Sequence, residues 1–298
     1  MNNKRRLFST LLCVAALTAG LFVSGCGSDK AGGIGSVVDG GSDEKAAAKL
    51  NTLIDATNRF NGDNATWGQN YADSLAKLKG GFQEGAIGRQ PHYDTLKEAL
   101  EQSKKEGSTF KEVDTERDNV LNVLNELVPT FKDLKAYDDS KAYMNDGGAK
   151  GKELAAKYVA QVEKFDAAYA KFNDALNKAN TEQTKKQIEK LKKDGKKGYA
   201  AAMESTLRLT TLVENVEKAP KNADKQAVEK ELNEIQTLLK SINNDRGEVL
   251  VNSYNSVVGS VRQVLNDANE NNLNDMIENF NNYIESYNNT TPDQFDSK

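Results

Sequence analysis

Residues 154–176 read LAAKYVAQVEKFDAAYAKFNDAL, and a large apolar side chain recurs in this stretch at every third or fourth position. Those side chains are Leu154, Tyr158, Val162, Phe165, Tyr169, Phe172 and Leu176. A helix completes one turn in about 3.6 residues, so this spacing places all of them on one face over about six turns. The stretch therefore predicts a long helix whose apolar face is buried against other helices.

The same spacing is found before and after that stretch. It recurs in Val120–Leu134, Val228–Ile242, Leu250–Val264 and Leu273–Tyr287. The predicted breaks between helices are residues 137–151, 194–198, 219–222, 245–247 and 269–272. All but the first are short, which favours antiparallel neighbours, and no run alternates clearly enough to predict a strand. We therefore expect an all-α fold, an elongated antiparallel bundle of about six to eight helices, in one domain at residues 45–290. Asn61-Gly62-Asp63 is expected to end the first helix, and Pro129 to kink or break a later one.

The first 26 residues have the order of a bacterial lipoprotein leader. A basic start at residues 4–6 precedes an apolar segment that reaches Val23, and the run LFVSGC ends at Cys26. The small residues before Cys26 suit cleavage there, so residues 1–25 are predicted to be a signal peptide. The Cys26 thiol would then carry a diacylglyceryl group, whose two acyl chains hold a protein stably in one membrane leaflet. The alternatives are an ordinary secretory signal and a transmembrane helix, although the interrupted apolar segment is short for a span of about 20 residues.

Residues 26–44 are predicted to be a flexible linker behind the lipid anchor. Six glycines between Gly27 and Gly41 give such a segment an end-to-end distance of roughly 20 Å. The opposite end, residues 291–298, is expected to be a disordered tail.

The leader and the lipidated Cys26 predict a protein of the bacterial cell envelope, held outside the cytoplasm. Because Gly27 and not Asp follows Cys26, the outer membrane is the expected location in a host with two membranes.

The charge of the chain argues against a nucleic-acid partner. The 298 residues include 40 Lys and Arg and 44 Asp and Glu, for a formal net charge of −4. An acidic chain with scattered lysines lacks the basic stripe of nucleic-acid-binding proteins, so we expect no nucleic-acid partner.

Cys13 and Cys26 are the only cysteines, and cleavage before Cys26 would leave only the lipidated one in the mature chain. No disulfide could then form, and stability has to come from packing.

The sequence offers few groups for catalysis or metal binding. His92 is the only histidine, so a Ser-His-Asp triad would have to use it, and its place after Pro91 predicts a helix-start residue. Zinc sites need further Cys or His ligands. Aligning Gly147 with the glycine of a calcium-binding loop puts Ala142 and Met144 where carboxylates are required. We therefore expect no catalytic residue, no metal and no cofactor.

Residues 134–154, LKAYDDSKAYMNDGGAKGKEL, form a long connection between two long predicted helices. In one interpretation they are a structural corner, in which the tyrosines pack inward, Asn145 or Asp146 caps the next helix, and Gly147-Gly148 permit the turn. In the other they are a recognition loop that presents tyrosine and lysine side chains together. The candidate recognition residues are Tyr137, Asp138, Lys141, Tyr143, Asp146, Lys150 and Lys152.

This connection resembles the central motif of the YiiG-like family of bacterial helical lipoproteins, a family defined as a domain of unknown function. The family pattern runs Tyr-Tyr, Lys-x-Tyr, an Asp, and then Ala-Lys-Gly-Lys-Glu-Leu. The residues that match it here are Tyr137, Lys141, Tyr143, Asp146 and Ala149–Leu154. A weaker similarity to the same family extends over about Lys45–Asn289. The resemblance implies an all-helical, surface-anchored protein, and it supplies no activity and no catalytic residues.

The expected function is that of a membrane-anchored envelope lipoprotein that acts by binding or scaffolding an envelope protein or polymer. Two alternatives belong to other classes. A hydrolase of an envelope polymer would need two carboxylates about 5–9.5 Å apart in one cleft, one of them with a raised pKa. A ligand-sensing bundle would need a sizeable pocket between helices.

Overall fold

The computed structural model describes residues 42–65, 68–88, 90–107 and 110–297. These ranges contain eleven helices and no strand, so the predicted all-α class is confirmed. Two of the eleven have only four residues, and the nine longer ones exceed the expected six to eight. The predictions for Cys26, for the signal peptide and for nearly all of the linker concern residues that lie outside the described ranges. None of the described helices has the length and apolarity needed to cross a bilayer.

The helices follow one another with short connections. They are α1 (Ser42–Ala65), α2 (Gly68–Lys79), α3 (Tyr93–Lys105), α4 (Lys111–Asp139), α5 (Tyr143–Asp146), α6 (Ala149–Lys193), α7 (Lys197–Lys218), α8 (Lys225–Lys240), α9 (Asp245–Asn266), α10 (Glu270–Asn288) and α11 (Pro292–Phe295). The apolar stripe of residues 154–176 lies in α6, the longest of these helices, and all seven of its large apolar side chains are buried.

The chain forms two compact units, although the sequence predicted one helical domain at residues 45–290. The division falls inside α6, between Ala179 and Asn180. In the first unit an aromatic cluster joins three helices: Phe60 of α1, Tyr93 of α3 and Phe165 of α6 have ring centroids 4.9–5.8 Å apart. In the second unit the buried apolar faces of α7, α8, α9 and α10 form one core with the end of α6.

Two expected breaks are absent, at Asn61 and at Pro129, and each helix has tertiary contacts there. Helix α1 continues past Asn61, whose side-chain oxygen accepts a hydrogen bond from the buried Tyr169 hydroxyl at 3.1 Å. Helix α4 runs without a break through Pro129. A proline removes one backbone hydrogen bond, and the buried Leu127 and Leu134 anchor the helix on either side of it.

The end of the chain differs from the disordered tail expected at residues 291–298. Residues Pro292–Phe295 form helix α11, which begins with a capping box between Thr291 and Gln294. Phe295 is only 2% exposed and stacks on Tyr199 of α7. Burial of this one aromatic ring explains why a short polar segment is ordered against the second unit.

Candidate functional site

The predicted recognition residues lie at a corner between the long helices α4 and α6. Tyr137 is in the last turn of α4, Tyr143 and Asp146 belong to the four-residue helix α5, and Lys150 is in the first turn of α6. The structure brings Tyr137, Tyr143 and Asp146 together, while the candidate lysines all point to solvent. In the part of the corner held by these contacts, Tyr137 is buried, Tyr143 is half-buried and Asp146 is exposed, and the lysines form a second, exposed part.

The Asp146 carboxylate fixes the corner. Its Oδ1 atom accepts hydrogen bonds from the Tyr137 hydroxyl at 2.5 Å and from the Gly148 amide at 2.9 Å, and its Oδ2 atom accepts from the Lys150 amide at 3.0 Å. These amides belong to the start of α6, where backbone N–H groups have no partner within the helix. The hydrogen bond from Tyr137, followed by those from the backbone, lowers the pKa of Asp146. The expectation that Asn145 or Asp146 caps this helix is thus confirmed for Asp146.

Phe82, which the sequence argument missed, packs against the corner from the loop after α2. Its ring centroid is 5.1 Å from that of Tyr137 and 5.8 Å from that of Tyr143. Glu84, from the same loop, is next to Tyr143, and this interaction, followed by burial, raises the pKa of the Tyr143 hydroxyl to about 12. The one feature of the sequence that could have pointed to this contact is that Phe82 is an isolated aromatic residue in a glycine-rich loop. Its partner lies more than fifty positions away, and periodicity gives no information on such a pair.

Gly151 permits the close packing under these two rings. A Cβ atom at this position would lie 2.6 Å from Cγ of Phe82 and 2.6 Å from Cε1 of Tyr137, closer than real Cβ contacts come. The glycine in the Ala-Lys-Gly-Lys-Glu-Leu run therefore has a packing role. It lets the first turn of α6 approach Tyr137 of α4.

Gly151→Ala is expected to destabilise the first unit by about 1–3 kcal/mol, because both rings would have to move. Urea unfolding of the full chain, with amide exchange to assign the loss to residues 137–160, measures this effect. Gly62→Ala is the matched control, since a Cβ there meets nothing within 4 Å, and it should leave stability unchanged or slightly raise it. Equal stability of the two variants would contradict the packing role of Gly151.

The exposed part of the corner carries an apolar side chain among lysines. Met144 of α5 is 69% exposed, and Val249 on α9, at 41%, is the other large apolar side chain that is exposed in the described ranges. Lys141, just before α5, has φ of +53°, the one positive φ outside glycine in those ranges. Lys150 pairs with Glu153 at 3.1 Å, Lys152 is exposed, and Asp138 is half-buried. Met144 was not among the recognition candidates, because exposure of one side chain in a loop has no signature in the sequence.

The remaining sequence expectations about chemistry concern His92 and metals. His92 occupies the N-cap position of α3, as expected for a helix-start residue, and its side chain makes no capping hydrogen bond. Within the described part of the chain, no group of three or more His, Cys, Asp or Glu side chains is placed to hold a metal ion.

Comparisons with known proteins give one finding. Residues 44–274 match a family model described as "Protein of unknown function (DUF3829)". No curated protein and no solved structure matches the chain. The matched range includes the whole corner and ends inside α10, before the buried residues Phe280, Tyr283 and Phe295 of the second unit.

Proposed function

The chain belongs to the family described as "Protein of unknown function (DUF3829)", and we propose that it is a lipid-anchored envelope protein that binds a partner without catalysis. The anchor in this proposal is Cys26, and its support is the order of the leader sequence: basic start, apolar segment, small residues and cysteine. The finer resemblance to YiiG-like lipoproteins belongs to the same proposal. It is supported by the match of Tyr137, Lys141, Tyr143 and Asp146 to that motif.

The observation that carries the binding role is the exposure of Met144 on a rigid support. Burial of an apolar side chain that is 69% exposed is favourable, so Met144 is well suited to fill a pocket on a partner. Its helix α5 ends at Gly147, in the left-handed conformation, and is held by the three hydrogen bonds to Asp146. A loop that is already ordered loses little conformational entropy on binding, so more of the contact energy appears as affinity.

The chemistry of the exposed part favours a protein as the partner. Met and aromatic residues are enriched at protein interfaces, and here Met144 is adjacent to the half-buried Tyr143. Lys141 and Lys152 are exposed around them, but Asp138, Asp139 and Glu153 balance their charge. An anionic polymer would need an excess of positive charge, which this surface does not have.

The hydrolase alternative has one observation in its favour. Asp166 on α6 has a pKa raised to about 6, mainly by burial, as a general acid requires. Glu163, one turn earlier, is exposed and binds Lys79 at 2.8 Å, so it is an ion-paired surface group and not the second carboxylate of a cleft. A ligand-sensing bundle would need a pocket lined by at least two helices. A depression of about 500 Å³ is lined by α8 alone. We therefore favour the binding role.

Met144→Asp is expected to weaken capture of the partner at least about tenfold, since a charge would replace the apolar contact at the centre of the surface. The measurement is quantitative pull-down of the full chain from cells after brief crosslinking, with circular dichroism to check the fold. Val249→Asp is the matched control, because it places the same charge at the other exposed apolar position. Retention of the partner by Met144→Asp, or equal loss from both variants, would contradict the proposal. Tyr137 is unsuitable for this test, because its replacement would break the corner itself.

A further inference from the structure

The contact between α1 and α6 in the first unit contains a group of buried polar side chains. Thr57 and Asn61 lie one turn apart on α1, and Tyr169 and Asn173 lie one turn apart on α6. All four are at most 5% exposed. The helices meet at this group, because the Tyr169 hydroxyl donates to Oδ1 of Asn61 at 3.1 Å and the Tyr169 ring packs on that of Phe60, with centroids 5.3 Å apart.

Three polar atoms of this group have no hydrogen-bond partner among the residues that the structure describes. They are Oγ1 of Thr57, Nδ2 of Asn61 and Oδ1 of Asn173. The other amide atoms are used, since Oδ1 of Asn61 accepts from Tyr169 and Nδ2 of Asn173 donates to the Tyr169 carbonyl at 2.8 Å. Buried polar atoms are almost always paired with the protein or with an ordered water, so three unpaired atoms at one helix contact require an explanation.

The side chains that carry these atoms surround one phenol. Burial raises the pKa of the Tyr169 hydroxyl, and the side chains of Thr57, Asn173 and Asn61, which all face it, oppose this rise. They therefore lie close enough together to bind a single small molecule.

The chemistry of the three atoms selects the class of that molecule. Nδ2 of Asn61 only donates hydrogen bonds, Oδ1 of Asn173 only accepts them, and the Thr57 hydroxyl does either. A cation would be opposed by the Asn61 donor and an anion by the Asn173 acceptor. A neutral molecule that donates and accepts at once suits all three, and water is the smallest such molecule.

We propose that the α1–α6 contact is a binding site for one water molecule, held by Thr57, Asn61 and Asn173 beside the Tyr169 hydroxyl. The water accepts from Nδ2 of Asn61 and from the Thr57 hydroxyl, and it donates to Oδ1 of Asn173. It joins the two helices almost as well as a direct hydrogen bond would. This inference goes beyond the proposed binding function, since it involves neither the corner nor the lipid anchor.

Thr57→Val tests the site, because valine has nearly the shape of threonine and lacks the hydroxyl. If the hydroxyl binds water, its loss should raise the unfolding equilibrium constant of the full chain, measured in urea, about fivefold. If the hydroxyl is unpaired, its removal should lower that constant, since a costly buried polar group disappears. Thr210→Val is the matched control. Its buried hydroxyl already donates to the Thr206 carbonyl at 2.9 Å, inside α7, so its removal should change the constant little.

Magnetic relaxation dispersion of the water oxygen nucleus counts long-lived internal waters in solution and tests the site directly. We expect one fewer such water in Asn173→Leu than in the wild type, because an apolar side chain of similar size replaces the acceptor. Thr210→Val should have the wild-type number. An unfolding constant that is unchanged or lower in Thr57→Val, or an equal number of waters in Asn173→Leu and the wild type, overturns the inference.

Discussion

Gly247→Ala is expected to destabilise the second unit by about 2–4 kcal/mol, among the largest effects of a single added methyl group in this chain. Gly247 is buried in the first turn of α9, and a Cβ atom there would lie 2.0 Å from the backbone oxygen of Ile242. A backbone atom cannot rotate away as a side chain can. The turn before α9 would have to move, although Ile242 is itself buried and the Asn244 side chain caps the helix at the Gly247 amide.

The same helix offers the matched control. Gly259 is exposed on α9, and a Cβ there meets nothing within 4 Å. Gly259→Ala should therefore stabilise the protein by up to about 1 kcal/mol, because alanine has the higher helix propensity. Thermal and urea unfolding of both full-length variants measures the contrast. Similar stability of Gly247→Ala and Gly259→Ala, or a stabilising effect of Gly247→Ala, would contradict the close approach of the Ile242 backbone oxygen to α9.

Phe295→Ala is the second variant with a large expected effect, a loss of about 3 kcal/mol from the second unit. The Phe295 ring stacks on Tyr199 at 5.9 Å and on Tyr287 at 6.0 Å between centroids. Its backbone is held by the Asn244 side chain, which donates to the Phe295 carbonyl at 3.1 Å. Asp296, the next residue, caps α7 by accepting a hydrogen bond from the Gly198 amide at 2.6 Å. Loss of the Phe295 ring should therefore also break the hydrogen bond by which Asp296 caps α7.

Amide exchange at the start of α7 and in α10, together with urea unfolding of the full chain, measures this effect. Asp293→Asn is the control in the same short helix. Its ion pair with Lys196, at 3.0 Å, joins two side chains that are each about half exposed. Such pairs contribute about 0–1 kcal/mol, so this variant should change stability little. If Phe295→Ala unfolds like the wild type, the end of the chain is the disordered tail that its polar sequence suggests.

Part of the candidate site could be predicted from the sequence, namely the part that depends on neighbours in the chain. A cap by Asn145 or Asp146 was predicted because both lie shortly before the start of α6, and the turn at Gly147-Gly148 follows from the freedom of glycine. Phe82 could not be predicted, because its contacts with Tyr137 and Tyr143 join loops that are far apart in sequence. For the same reason the close packing at Gly151, inside a helix, could not be predicted.

The sequence by itself determined the helical class and the apolar faces of α4, α6, α8, α9 and α10, because a spacing of three or four residues is a local property that allows only one face to pack. It also limited the capping residue of α6 to Asn145 or Asp146. Only the tertiary structure decided that α1 continues past Asn61, that Phe295 is buried, and that the chain divides into two units inside α6. These outcomes depend on contacts between distant residues. The energy of such contacts can exceed the weak local preference of an asparagine, a glycine or a polar tail.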